Sequence, residues 1–332
     1  YMSKQSRDQR TREGYKKALL TSLWIPETEE ELSLVRSKEL GKPTRSGMNG
    51  RIGIVTGANA GIGKATAAGL AAMGATVVMV CRNPERGEAA MLQIREETGN
   101  DSVHLIIADL SSFGSIRKLA RQFSDHYQNL HLLVNNAGII PERRRLTVNG
   151  IEMQLAVNHL APFLLTNLLL GALKSGAPSR VVTVASQVHS NSPLDFTDLH
   201  SDHSYSASQV YRRTKLANIM FTYELARRLE GTNITANCLH PGVIATSLLD
   251  NYMATSSKAG FANSGDIAGD TPAAGAEAVL HVATSPDTQD ANGKYFVAGK
   301  LSDSAPISYD QDQQKKLWDT SSHLTGIDGN EF

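Results

Sequence analysis

With 332 residues, 41% of them hydrophobic and 20% charged, the chain has ample apolar material for a buried core, which excludes a disordered or fibrous protein. Its 33 Lys+Arg balance its 33 Asp+Glu, so no bulk charge draws it to nucleic acid or to an anionic membrane. Two cysteines, Cys81 and Cys238, are too few for a disulfide framework or a paired-cysteine metal site.

The polar start, with Lys4, Arg7, Arg10 and Arg12, does not read as a signal peptide. Residues 1–49 read as an arm, in which Thr28-Glu29-Glu30-Glu31 ahead of Leu32, Leu34 and Val35 predicts a capped helix start. Residues 50–332 read as one domain. Strands are expected at Ile52–Thr56, Thr76–Val80, Val103–Ala108, Leu130–Asn135, Arg180–Ala185, Asn233–Leu239 and Lys294–Val297. Helices are expected between them, the first two over Gly63–Met73 and Pro84–Glu97. Such alternation predicts an α/β fold: a doubly wound, seven-stranded parallel sheet with helices on both faces. The most apolar stretch, Leu160 to Leu173, is shorter than the roughly 20 residues a membrane-spanning helix needs, so it reads as a buried core helix. A cytoplasmic chain without a transmembrane segment is expected.

Thr56-Gly57-Ala58-Asn59-Ala60-Gly61-Ile62-Gly63 follows the first strand and opens a helix. Gly57 permits the sharp turn. Gly61 and Gly63 remove side chains where backbone must approach a pyrophosphate and where the helix must pack on the sheet. The helix start offers free N–H groups to the phosphates, so the loop predicts a dinucleotide site of Rossmann type. At the end of the second strand, where an NAD site places an acid for the ribose 2′-hydroxyl, stand Cys81 and Arg82. A guanidinium pairs with a 2′-phosphate, so NADP(H) is the expected cofactor.

Tyr211 and Lys215, four apart, share one helix face. Ser186 ends a strand upstream, and Asn135-Asn136-Ala137-Gly138 ends another. With Asp109-Leu110, Asn158 and Pro241-Gly242 in the same order, these motifs resemble the short-chain dehydrogenase/reductase superfamily, in its single-domain branch, over about residues 51–300. Cys81-Arg82-Asn83-Pro84-Glu85-Arg86-Gly87, Val157-Asn158-His159-Leu160 and Lys215-Leu216-Ala217-Asn218 are similar to its retinol dehydrogenase-like group.

The resemblance implies hydride transfer between nicotinamide and a carbonyl or carbinol carbon. Tyr211 would be general acid in reduction and base in oxidation, with its phenolate favoured by Lys215 and by the oxidised nicotinamide. Ser186 would hold the substrate oxygen, and Asn158 would support a water linked to Lys215. Gly57, Asn59, Gly61, Ile62, Gly63, Arg82, Asn83, Asp109, Leu110, Asn136, Ala137, Gly138, Pro241, Gly242, Val243 and Thr246 would line the cofactor, with Tyr211 and Lys215 at its nicotinamide end. Residues 246–274 would form a substrate lid, with Leu248, Leu249, Met253 and Phe261 as an apolar wall. The expected activity is NADPH-dependent reduction of a lipophilic aldehyde or ketone. The alternatives are a biosynthetic ketone or enone reductase and a cofactor-binding regulatory protein with vestigial activity.

A small-molecule carbonyl or alcohol is the expected partner. A homodimer or homotetramer is also expected, its faces on the helices around Leu160–Leu173 and Val210–Leu229. Asp195, Asp198, His200, Asp202 and His203 match no metal-ligand spacing and read as a polar loop. No metal and no nucleic acid are expected.

Overall fold

The computed structural model describes residues 47–191, 193–258 and 269–327; the expected arm up to residue 46 and Phe261 lie outside the described residues. Eight strands form one sheet: β1 (Ile52–Thr56), β2 (Thr76–Cys81), β3 (Val103–Ile107), β4 (Leu132–Asn135), β5 (Ser179–Val184), β6 (Ile234–His240), β7 (Tyr295–Val297) and β8 (Lys300–Ser302). Their order is β3-β2-β1-β4-β5-β6-β7-β8. The seven expected strands are present and parallel to their neighbours; β8 is an eighth, antiparallel to β7. The two-residue turn Ala298-Gly299 makes this hairpin, with φ of 46° and 80° at its two positions. Positive φ at both central residues suits the right-handed twist of the strands it joins.

Alternation along each strand divides the core between the two faces. Ile54, Val78 and Val80 join one cluster, which also takes in Phe123, Phe163 and Trp318. Val55, Val77 and Met79 join the other, with Leu70, Ile94 and Leu280. Helices α1 (Gly61–Ala72), α2 (Pro84–Thr98) and α8 (Pro272–Thr284) cover the second face. On the first face lie α3 (Phe113–His126), α4 (Ala161–Leu168), α5 (Leu170–Ser175), α6 (Ala207–Arg228) and α9 (Gln311–Thr325). The remaining helix, α7 (Ser247–Lys258), follows β6. Local signals set the helix ends. In α2, Asn83 Oδ1 accepts the Arg86 N–H at 2.7 Å, and Gly99 closes the helix at φ 67°.

The helix expected over Leu160–Leu173 is broken. A π-helical turn over Leu155–Leu160 leads into α4, and the chain reorients at Leu169 before α5. The two helices expected to meet another subunit are almost wholly buried within this one chain. Their outer side is covered by α9: Trp318 packs on Phe163 and Phe221, with ring centroids 4.8 and 5.9 Å away, and His159 Nε2 lies 2.9 Å from Ser321 Oγ. Aromatic pairs of this kind add about 0.5–1.5 kcal/mol each beyond their buried area.

Candidate active site

Between β1 and β4 the strand order reverses direction, opening a crevice at the carboxyl ends of the strands. The candidate catalytic and cofactor residues lie in the loops and helices that follow the strands. The β1–α1 loop is held by backbone: the Gly57 N–H donates to Val80 O at 2.9 Å, and Asn136 Nδ2 donates to Thr56 O at 2.8 Å. Gly57 and Gly61 have φ of 68° and 55°, the left-handed region where a side chain is strained. A Cβ on Gly63 would meet both Asn136 Nδ2 and Gly57 O at 2.4 Å. Glycine is therefore imposed here by close approach.

Helix α1 begins after Ala60 with no side-chain cap and no acid in its first turn. By contrast α2, α3, α8 and α9 are capped by Asn83, Ser112, Thr271 and Asp310. Its free N–H groups and positive end fit a pyrophosphate, and no bulky side chain fills the loop. Arg82 is exposed just past the end of β2, two residues after the Val80 carbonyl that holds the loop, and Asn59 of that loop is half-exposed. Asn83 has its side chain committed to capping α2, which leaves its amide NH₂ as the part open to a ligand. Asp109 uses one carboxylate oxygen to accept the N–H and hydroxyl of Ser111, at 2.9 and 2.8 Å, with Leu110 half-buried beside it.

A cavity of about 130 Å³ opens at the other end of the crevice. Ile62, Asn136, Ser186, Tyr211, Lys215, Pro241, Gly242, Val243 and Thr246 line it together. Val188, Ile244, Leu248, Leu249, Tyr252 and Met253 complete an apolar wall, the last four of them on α7. Ser186 and Tyr211 share the cavity lining, and the serine favours the ionised form of the phenol. Lys215 Nζ donates to Val184 O at 2.7 Å and stands 5.4 Å from the Tyr211 ring centroid. A Cβ on Gly138 would stand 3.7 Å from both Lys215 Nζ and Asn158 Oδ1, so the bare backbone of Ala137 and Gly138 opens directly onto the lysine.

Asn158 is buried on the π-helical turn and does not line the cavity. It bonds the Ile139 N–H and C=O at 2.8 and 3.0 Å and the Thr214 hydroxyl at 3.2 Å, tying the Gly138 loop to α6. Arg212, next to Tyr211, donates through Nε to the Tyr252 hydroxyl at 3.0 Å, which holds α7 over the catalytic helix.

Electrostatics differ from the sequence expectation in one respect. Burial pushes the Tyr211 phenol above its ordinary value, Tyr252 pushes it further, and Ser186 pulls it back. Burial also brings Lys215 down to about 8. The lysine stands over the Tyr211 ring and donates to a main-chain carbonyl, and desolvation is the largest cause of the shift in both groups. His240 and Val188 line the cavity and were not anticipated: a lone histidine before Pro-Gly carries no spacing signal. The His240 Nδ1 is buried with no partner among the described residues, and burial brings the ring down to about 4.

The polar loop uses its acids internally. Asp195 accepts from the N–H and hydroxyl of Thr197, Asp198 accepts the Asp202 N–H, and Arg144 pairs with Asp202. Among the described residues no helix is long and apolar enough to cross a membrane.

A glycine-loop crevice ending in a Ser–Tyr–Lys cluster, its tyrosine and lysine buried, is the arrangement of an oxidoreductase that works with a nicotinamide dinucleotide. Comparison with known proteins gives the family. The short chain dehydrogenase family model matches residues 51–257. The chain is 42% identical to retinol dehydrogenase 14 of Mus musculus, over 84% of this chain and 87% of that protein. It is 39% identical to retinol dehydrogenase 13 of Homo sapiens, over 86% and 88%. Among solved structures it is similar to an uncharacterised protein from Mycobacterium paratuberculosis, with 32% identity, a TM-score of 0.69, and 86% and 97% of the two chains covered. It is also similar to a short chain dehydrogenase from Burkholderia cenocepacia J2315 in complex with NADP, with 27% identity, a TM-score of 0.60, and 76% and 98% covered. The chain belongs to the short-chain dehydrogenase family.

Proposed function

We propose that the chain uses NADPH to reduce a lipophilic aldehyde or ketone to the alcohol, with Tyr211 as general acid, and catalyses the reverse oxidation when concentrations favour it. The observation that carries this reading is the Ser186–Tyr211–Lys215 cluster in a largely apolar cavity. The bound dinucleotide supplies the hydride. Gly57, Asn59, Gly61, Ile62 and Gly63 would hold its pyrophosphate side; Asp109, Leu110, Asn136, Ala137 and Gly138 its adenosine; and Pro241, Gly242, Val243 and Thr246 its carboxamide. Arg82 and Asn83 would meet the 2′-phosphate.

Two features support the phosphate-bearing cofactor. No carboxylate stands at residues 81–83, and Arg82 is exposed just past the end of β2. The solved Burkholderia relative also carries NADP.

Within the cavity, Ser186 Oγ would donate to the substrate oxygen and hold it against Tyr211. The upward shift keeps the Tyr211 phenol protonated at neutral pH, so it carries the proton that reduction delivers to the substrate oxygen. Lys215 would keep a positive charge beside the phenolate left behind and hold the nicotinamide ribose. The wall of Val188, Leu248, Tyr252 and Met253 suits an apolar substrate body, in keeping with relatives named for retinol.

The test is NADPH consumption against small, long-chain and retinoid aldehydes and cyclic ketones, with Tyr211→Phe as control. Turnover of the long-chain or retinoid aldehydes that vanishes in the variant is the expected result. A preference for cyclic ketones would move the reading to a biosynthetic reductase, and tight NADPH binding without turnover would count against it.

A further inference from the structure

Behind Ser186 lies an imidazole that the proposed chemistry does not use. His189 sits in the tight turn Gln187–Asn191 and is 3% exposed. Its Nδ1 stands 2.7 Å from the Ser186 carbonyl oxygen, and its Nε2 stands 2.9 Å from the main-chain nitrogen of Ala305. These two contacts fix the tautomer. A ring nitrogen that accepts an N–H cannot itself carry a proton, so Nε2 is bare and Nδ1–H donates to Ser186. A doubly protonated ring would set two N–H groups against each other.

The turn's own bonds are longer, with His189 N to Ser186 O at 3.3 Å and Val188 N to Ser186 Oγ at 3.5 Å. Beyond the imidazole the connection continues. Ser304 Oγ lies 2.7 Å from the Tyr223 hydroxyl on α6 and 2.6 Å from Ser308 Oγ. The His189 ring also rests edge-on against Tyr295, with centroids 5.2 Å apart. A run of short bonds thus leads from the Ser186 main chain through His189 and residues 304–305 to the helix that carries Tyr211.

We propose that His189 is a positioning residue: its neutral imidazole clamps the Ser186 main chain to the segment anchored on α6, and so sets where the Ser186 hydroxyl stands relative to Tyr211. The clamp governs turnover and leaves cofactor binding alone, since the dinucleotide loops lie on other strands. The kinetic part of this inference rests on the reductase reading above.

Three variants and one spectrum test it. His189→Phe keeps a ring of similar shape and loses both bonds; kcat should fall about tenfold or more, with the carbonyl KM and the NADPH Kd within about threefold of wild type. His189→Gln carries one donor and one acceptor on a single amide and should recover most of that loss. Should His189→Phe fail to fold, His189→Leu removes both bonds with a smaller apolar side chain; kcat should again fall with NADPH binding unchanged. Wild-type kcat in His189→Phe or His189→Leu, or a Gln variant no better than Phe, would overturn the proposal.

The ¹⁵N spectrum of histidine-labelled wild-type protein needs no substrate. The His189 signals, assigned by their absence from a His189 variant, should show the proton locked on Nδ1 through the range where free imidazole titrates, near 6.5. An Nε2–H tautomer, or ordinary titration, would overturn the clamp. Inactivity of the wild type towards every carbonyl would instead strike the reductase reading, with the spectrum still deciding the clamp.

Discussion

The two halves of the crevice are built by opposite means. On the dinucleotide side, around β1, β2 and β4, the work is done by absent side chains: Gly57, Gly61 and Gly63, and an α1 terminus left without a cap. On the substrate side, around β5, β6 and α6, it is done by buried ionisable groups: Tyr211 at 7% exposure, Lys215 at 2% and His240 at 7%. The first arrangement costs little, because backbone N–H groups can meet phosphate or water. The second carries a desolvation penalty that the rest of the core must offset. In the proposed reading the loop binds and the buried cluster reacts.

That division can be broken from either side. The largest effect is expected on turnover from Tyr211→Phe, a loss of roughly 10²–10⁴-fold, the range for a positioned general acid. Titration of NADPH by fluorescence should find its affinity unchanged, whereas a matching loss of binding would merge the two halves. Gly63→Ala should do the converse. Its Cβ has no room against Gly57 O, and such overpacking costs about 1–3 kcal/mol. NADPH affinity should drop by at least about tenfold, and thermal unfolding should move down.

Lys215→Met separates stability from chemistry. Burial lowers the amine from 10.5 to about 8, so the folded state binds fewer protons than the unfolded one between those values. Stability therefore rises with pH across that window, and below about 8 the penalty is fully present. Replacing the charge with an apolar chain should relieve up to about 3 kcal/mol at pH 7. Denaturant unfolding should show a more stable, inactive protein; a destabilised one would mean that the bond to Val184 O outweighs the burial penalty. The smallest effect is on cofactor choice. Arg82→Ala should weaken NADPH by about tenfold and leave NADH alone, because an exposed ion pair is worth only about 1 kcal/mol or somewhat more. Equal loss for both cofactors would remove the 2′-phosphate role.

Much of the dinucleotide half was legible because its determinants are local. A strand, a glycine loop and a helix start follow one another from Ile52 to Ala72, and β1 was placed to the residue. Strand β8 escaped because Lys300–Ser302 is three residues long, solvent-facing and without alternation. The break at Leu169 escaped because a π-helical turn and two short helices present the same run of apolar residues as one long helix.

In the substrate half Ser186, Tyr211 and Lys215 were legible through the resemblance, and Leu248, Leu249 and Met253 through their place after Pro241-Gly242. His189 and His240 were not. A histidine 116 residues from the Ala305 N–H it accepts leaves no pattern in the chain. The upward push on Tyr211 was also hidden, because burial is a property of the assembled cavity.

Hydride transfer is tested by a single turnover with NADPH doubly deuterated at nicotinamide C4 and a long-chain aldehyde, in wild type and in Tyr211→Phe. Deuterium is expected on the carbinol carbon of the alcohol formed by wild type, with almost no alcohol from a variant that still binds NADPH. Alcohol formed at an undiminished rate by Tyr211→Phe, or product without the label, would contradict it.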